Sequence, residues 1–201
     1  IIDLIEMNGF KSQFLLNPEI TFLNHGSYGS CPVPIFNKYQ EWQRKLENQP
    51  VQFFTKDLYQ GLLRSRTSLS KFIGCNENEI LFFDNPTIAI ANIIHSVNLE
   101  PGSEVLMTDH EYGALVRAWN IWGQKSGVKI IQQKIDLPVT SNQNFIDDFL
   151  KGVTKRTKII FISQITSPTG IVFPLKEIIR YVNDRGILSI VDGAHSPGQI
   201  N

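Results

Sequence analysis

The apolar positions of this chain change their period as it is read from end to end. Short runs rich in β-branched and aliphatic residues stand at Ile80 to Phe83, Val105 to Thr108, Lys129 to Ile135, Lys158 to Ser163 and Ile187 to Val191, and each predicts a strand. Between them the apolar residues recur at helical spacing. Ile90, Ile93, Ile94 and Val97 fall at i, i+3, i+4 and i+7, as do Leu175, Ile178, Ile179 and Val182, so each set predicts one buried stripe. Pro86 suits a first helical turn, with Asp84 or Asn85 before it as the cap. The runs "KIIFIS" and "ILSIV" hardly alternate, as expected of strands covered on both faces by helices. The pattern predicts an α/β fold, a three-layer α/β/α arrangement around a largely parallel mixed sheet.

The pattern differs before Ser70. There "FLNHGSYGSCPVP" is a Gly/Ser/Pro loop, and two helices are predicted after it, Ile35 to Glu47 and Lys56 to Phe72. Residues 1–69 therefore read as an N-terminal arm with helices, and residues 70–201 as the sheet domain. Internal repeats and low-complexity tracts are absent from the sequence.

Composition narrows the function classes. The 201 residues are 42% hydrophobic, enough for one substantial core. Lys plus Arg equals Asp plus Glu at 19 each, for a net charge of +0, so no overall field draws in nucleic acid or an anionic membrane. No apolar run is long enough to cross a bilayer, and "IIDLIEMNGF" has neither a basic leader nor a small-residue cleavage site; a cytoplasmic protein is expected. The first residue is Ile rather than Met, which suggests a segment of something longer. Cys31 and Cys75 stand far apart with no metal-ligand spacing, which argues against a disulfide framework or a zinc site.

In open α/β sheets ligands bind beyond the carboxyl ends of the strands, and here those positions are polar. Four of the five predicted strands are followed by "DNPTIAIAN", "DHEYGA", "QITSPTG" and "DGAHSPG". Each has a plain alternative as a cap or a turn, but four in a row point to a site. A Thr hydroxyl and free N–H groups at the start of the "NPTIAIAN" helix make an anion site, although Asn85 and Thr87 equally suit capping, and Pro86 removes one donor. Asp192 leaves a nearly all-apolar strand, where an ionised carboxylate needs a cationic or donor partner. A protonated ring nitrogen would serve, in a charge-assisted bond of about 1.5–3 kcal/mol.

Together "FLNHGSYGSCP", "NPTIAIAN", "TDHEYGALVRAW", "SPTG" and "VDGAHSPGQI" resemble the class V, fold-type I pyridoxal-phosphate enzymes, in the isopenicillin N epimerase-like branch related to the cysteine desulfurases. The resemblance implies a pyridoxal-phosphate transferase large domain over residues 70–201, incomplete at its C-terminus, with residues 1–69 partly a small-domain or dimer-contact region. It implies that Asp192 binds the pyridine nitrogen, that His195 stands near the phenolic oxygen, and that the Asn85, Pro86, Thr87 segment holds the phosphate through Thr87 and neighbouring backbone N–H groups. Tyr112 or His110 would stack on the ring, and Ser167 falls where the desulfurases have a ring-contacting Asn. Asn24, His25 and Gly26 resemble a loop lining the substrate side. Pyridoxal phosphate is an electron sink for charge at a substrate α-carbon while its nitrogen stays protonated. The catalytic Schiff-base Lys would lie beyond residue 201; Lys158 and Lys176 match solvated faces instead.

The resemblance thus implies part of an enzyme acting on a small amino acid by epimerisation, transamination or carbon–sulfur cleavage, as a homodimer, with this chain alone lacking turnover. The alternative is a noncatalytic binding or dimerising module derived from such an enzyme. A metal hydrolase built on Asp109, His110, Asp192 and His195 matches no standard zinc spacing, and the GxSxG and GxGxxG signatures are missing. His95, Trp119, Trp122, Phe53, Phe54 and Arg117 have packing or surface roles as their plainest reading.

Overall fold

A computed structural model describes residues 9–200. Residues 1–8 of the expected N-terminal arm, and Asn201, lie outside the described residues. The chain divides into two compact units between Phe82 and Phe83.

The first unit carries both predicted helices. Helix α1 (Val33–Asn48) starts on a proline-bearing first turn, where a missing N–H costs nothing. Helix α2 (Leu58–Ile73) ends at Gly74, whose φ of 73° is the left-handed cap that glycine adopts without strain. A helical turn, Pro50–Gln52, and a π turn, Phe53–Asp57, lead into α2. Phe53 packs edge-on to both Trp42 and Phe54, with centroids 6.2 and 5.5 Å away, so its role is packing, while Phe54 is exposed.

The strand predicted at Ile80 to Phe83 does not form. Ile80 is buried, but Leu81, Phe82 and Phe83 are exposed and take part in none of the strand pairings. A β-rich run becomes a strand only where another backbone offers it a hydrogen-bond ladder.

The second unit is built in the predicted alternation: α3 (Pro86–Ser96), β1 (Glu104–Thr108), α4 (Gly113–Ser126), β2 (Lys129–Gln133), α5 (Asn142–Leu150), β3 (Thr157–Ser163), α6 (Leu175–Asn183) and β4 (Leu188–Asp192). The sheet order is β2-β1-β3-β4 with every pairing parallel. Because side chains alternate across a strand, two cores form. Leu106, Ile160 and Ile162 pack with Phe145, Ile146 and Phe149 of α5 and with Leu175, Ile178 and Val182 of α6. Val105, Met107, Ile159, Phe161 and Ile190 face the other way, against Ile90 and Ile94 of α3 and Leu115 and Trp119 of α4. Each such side chain, fully buried, contributes about 1.5–3 kcal/mol. Apolar residues on both faces are what make the sheet the middle of three layers.

The α3 stripe is narrower than its spacing suggests: Ile93 is 38% exposed and Val97 lies past the last turn. Strand β2, on the sheet's edge, stops at Gln133, yet Ile135 beyond it is buried. Gly123 of α4 lets β2 approach closely, since a Cβ there would stand 2.7 Å from the Val128 carbonyl oxygen. With all strands parallel, the segments leaving β1, β3 and β4 emerge along one edge.

Candidate functional site

The start of α3 combines the two roles its sequence left open. Asn85 caps the helix, its Oδ1 accepting from the Ile88 N–H at 2.9 Å. Pro86 has no N–H, and the Ala89 N–H goes to the Asn85 carbonyl at 3.1 Å. The Thr87 N–H and hydroxyl are left without partners among the described residues, half-buried in the first turn.

The segment leaving β1 is fastened on both sides. Toward β2, Asp109 Oδ1 accepts from the Ile135 N–H at 3.0 Å, and His110 Nε2 lies 2.9 Å from the Ile135 carbonyl oxygen with its ring edge-on to Phe173. Toward β3, Glu111 accepts from the Ser163 N–H at 2.9 Å and the Ser163 hydroxyl at 2.5 Å, and the Thr108 hydroxyl donates to it at 2.6 Å. Tyr112, at the start of α4, is 45% exposed and its hydroxyl has no partner among the described residues.

Asp192 closes β4 as the register partner of Ser163. Its side chain is buried; Oδ1 accepts from the Ala194 N–H at 3.0 Å, and the carboxylate meets no cation among the described residues. The turn continues with the Ser196 N–H on the Gly193 carbonyl at 2.9 Å, leaving His195 half-buried and the Ser196 hydroxyl buried without a partner. Ser167 is exposed in the turn after β3, which Thr166 braces by accepting from the Ile171 N–H at 3.0 Å.

Thus Asn85, Pro86, Thr87, His110, Tyr112, Ser167, Asp192 and His195 all belong to the sheet unit, and those on β1, β3 and β4 leave the same edge. Asn24, His25 and Gly26 belong to the first unit, where the His25 ring packs against Phe14 and Phe22 at 5.5 and 4.7 Å.

Sequence reading missed Glu111. It is 5% exposed, and burial pushes its carboxyl above the usual range, more than the hydrogen bonds from Ser163 and Thr108 pull it down; the nearby Asp192 charge raises it further. A signal was present: the apolar runs of β1, β3 and β4 end in the polar residues Thr108, Ser163 and Asp192, at one end of neighbouring parallel strands, with Ser163 and Asp192 in register. No lysine lies in the segments that leave β1, β3 and β4, 109–112, 164–174 and 193–200. Lys134, after β2, is exposed and paired with Asp136 at 2.6 Å. Among the described residues no three His, Cys, Asp or Glu side chains are grouped to hold a metal ion.

The aminotransferase class-V family model matches residues 30–201. This chain belongs to the class-V aminotransferase family. Within that family, the isopenicillin N epimerase of Streptomyces clavuligerus is 27% identical over 188 residues, covering 94% of this chain and 47% of the relative. An L-cysteine desulfhydrase of Arabidopsis thaliana is 28% identical over 193 residues, covering 89% of this chain and 42% of the relative. The chain spans about half the length of the curated relatives it matches. Among solved structures, a mutant of C-DES with glycine covalently linked to its PLP cofactor superposes with a TM-score of 0.83 at 21% identity, over 94% of this chain and 51% of that one. That likeness shows the class-V fold of α/β layers around a parallel sheet.

Proposed function

We propose that this chain supplies the pyridoxal-phosphate-binding part of an enzyme acting on a small amino acid. The observation that carries the reading is Asp192: a buried carboxylate at a strand end, with one oxygen engaged by a backbone N–H and no cation beside it among the described residues. Such a group is costly unless something cationic arrives. A protonated pyridine nitrogen is the partner it fits, and the partnerless Thr87 N–H and hydroxyl and the orphaned Ser196 hydroxyl are polar groups that a bound ligand would satisfy.

In this reading Thr87 holds the phosphate at the α3 N-terminus, where the helix dipole favours an anion. Asp192 keeps the ring nitrogen protonated, and His195 and Ser167 stand at the ring's margin. Tyr112 is the better candidate for stacking, because the His110 ring is already committed to the Ile135 carbonyl and Phe173. Once bound, pyridoxal phosphate withdraws electrons from the substrate α-carbon; the chain's own part is to anchor, orient and hold the proton on the ring. The whole protein would be a cytoplasmic homodimer that epimerises, transaminates or cleaves a carbon–sulfur bond, with Asn24, His25 and Gly26 on the substrate side.

Pyridoxamine 5′-phosphate, which cannot bond to a surface lysine, tests this by calorimetric titration. The chain should bind it, and Asp192→Asn should weaken binding about ten- to a hundredfold, the size of one charge-assisted hydrogen bond. Absence of binding, or equal binding by Asp192→Asn, would overturn the reading.

A further inference from the structure

Behind Asp192 the sheet edge holds a second buried acid for which the cofactor contacts give no role. We propose that Glu111 is a positioning residue for the ring nitrogen: Glu111 and Asp192 form one buried acidic pair, clamped across β1, β3 and β4, and together hold the cation. This rests on the pyridoxal-phosphate reading.

The geometry begins at Ser163. Its backbone N–H and hydroxyl both donate to Glu111, and it is the register partner of Asp192 on the neighbouring strand. Adjacent strands lie about 4.8 Å apart, so the two carboxylates flank one residue of β3. Thr108 completes the clamp from β1. Among the described residues the donors to Glu111 are all neutral, and no cation pairs with it. A fold that needed only a clamp would be served by a Gln or by an apolar contact, since a buried carboxylate without a cation is costly. A cation arriving beside Asp192, however, meets two negative charges in a poorly solvated place, where each counts for more.

The surrounding groups leave this pairing clear. On the β1 segment Asp109 and His110 turn toward Ile135, and Tyr112 points out. β3 offers Ser163 and no titratable group beside Glu111. From β4, His195 makes no hydrogen bond to Glu111, whereas the Asp192 charge acts on it and pushes its carboxyl up.

Two measurements on the full chain decide the matter. The Glu111 carboxyl, followed by carbon-13 NMR across pH, should titrate at lower pH in Asp192→Asn, because a neighbouring negative charge has gone. With bound pyridoxamine 5′-phosphate, Glu111→Gln should weaken affinity severalfold and move the ring-nitrogen titration, read by nitrogen-15 NMR, to lower pH. A Glu111 titration indifferent to Asp192→Asn, or a ring nitrogen indifferent to Glu111→Gln, overturns the pair while leaving the cofactor reading intact. Failure of the wild-type chain to bind pyridoxamine 5′-phosphate overturns that reading and the cation-holding role with it. Should Glu111→Gln not fold, the Asp192→Asn titration still decides, since Glu111 is untouched there.

Discussion

Two glutamates of nearly the same stretch of chain meet opposite fates at the two ends of the sheet. Glu104, at the amino end of β1, accepts from Arg156 Nε at 2.8 Å and from the Thr154 hydroxyl at 2.5 Å. Burial alone raises its pKa, but those two hydrogen bonds and the Arg156 charge outweigh it and hold the carboxyl below its usual range. Glu111, past the carboxyl end, has hydroxyls and one N–H but no cation among the described residues, and its carboxyl is pushed up. One end of the sheet is electrostatically finished, and the other is left acidic. That asymmetry, more than any single side chain, supports the carboxyl edge as the place proposed for a ligand.

The comparison breaks most visibly if the finished end is unfinished. Arg156→Gln leaves Glu104 without its cation and should lower stability by about 1–2 kcal/mol in urea unfolding, a figure reduced because the guanidinium faces solvent. At the other end, Ser163→Ala takes one donor from Glu111 and should cost about 1 kcal/mol at neutral pH. The loss should shrink on acidification, when Glu111 carries its proton and demands fewer donors.

The pH dependence sharpens the contrast further. A carboxyl whose folded pKa is lowered stabilises above its unfolded pKa and loses that contribution as pH falls through the folded value. Glu104→Gln should therefore be destabilised relative to wild type at neutral pH and converge with it in acid. Glu111 has the reverse sign: its folded pKa is raised, so its contribution is full below the unfolded value and is lost as pH rises through the folded one. Glu111→Gln should gain on wild type as thermal melts move from acid to neutral pH. The smallest effect is expected at Lys134, whose pair with Asp136 is wholly solvent-exposed; Lys134→Ala should leave the melting temperature unchanged, showing that burial and not pairing makes the difference.

The sheet was legible in the sequence wherever apolar residues faced both ways, as in β3 and β4, because covered strands are continuous runs. Ile80 to Phe83 is as continuously apolar and still forms no strand, since pairing belongs to a neighbour that composition does not name. Asp192 stood out in the sequence because an ionised acid at the end of the nearly all-apolar Ile187 to Val191 needs a cationic or donor partner. Glu111 could not, because its partner Ser163 stands 52 residues away and the order β2-β1-β3-β4 does not follow the chain. The engagement of the His110 ring was hidden for the same reason: Ile135, whose carbonyl it meets, is 25 residues distant.

The double fastening of residues 109–111 also bears on entropy. Ordering a free loop of that length costs about 1–2 kcal/mol per residue in backbone freedom. Here Ile135 on one side and Ser163 on the other have already fixed the backbone before any ligand arrives. Under the proposed reading what remains to be ordered is the Tyr112 ring, at about 0.5–1.5 kcal/mol for one side chain, so the loop would meet its ligand as a hinge-free shelf with a single moving part.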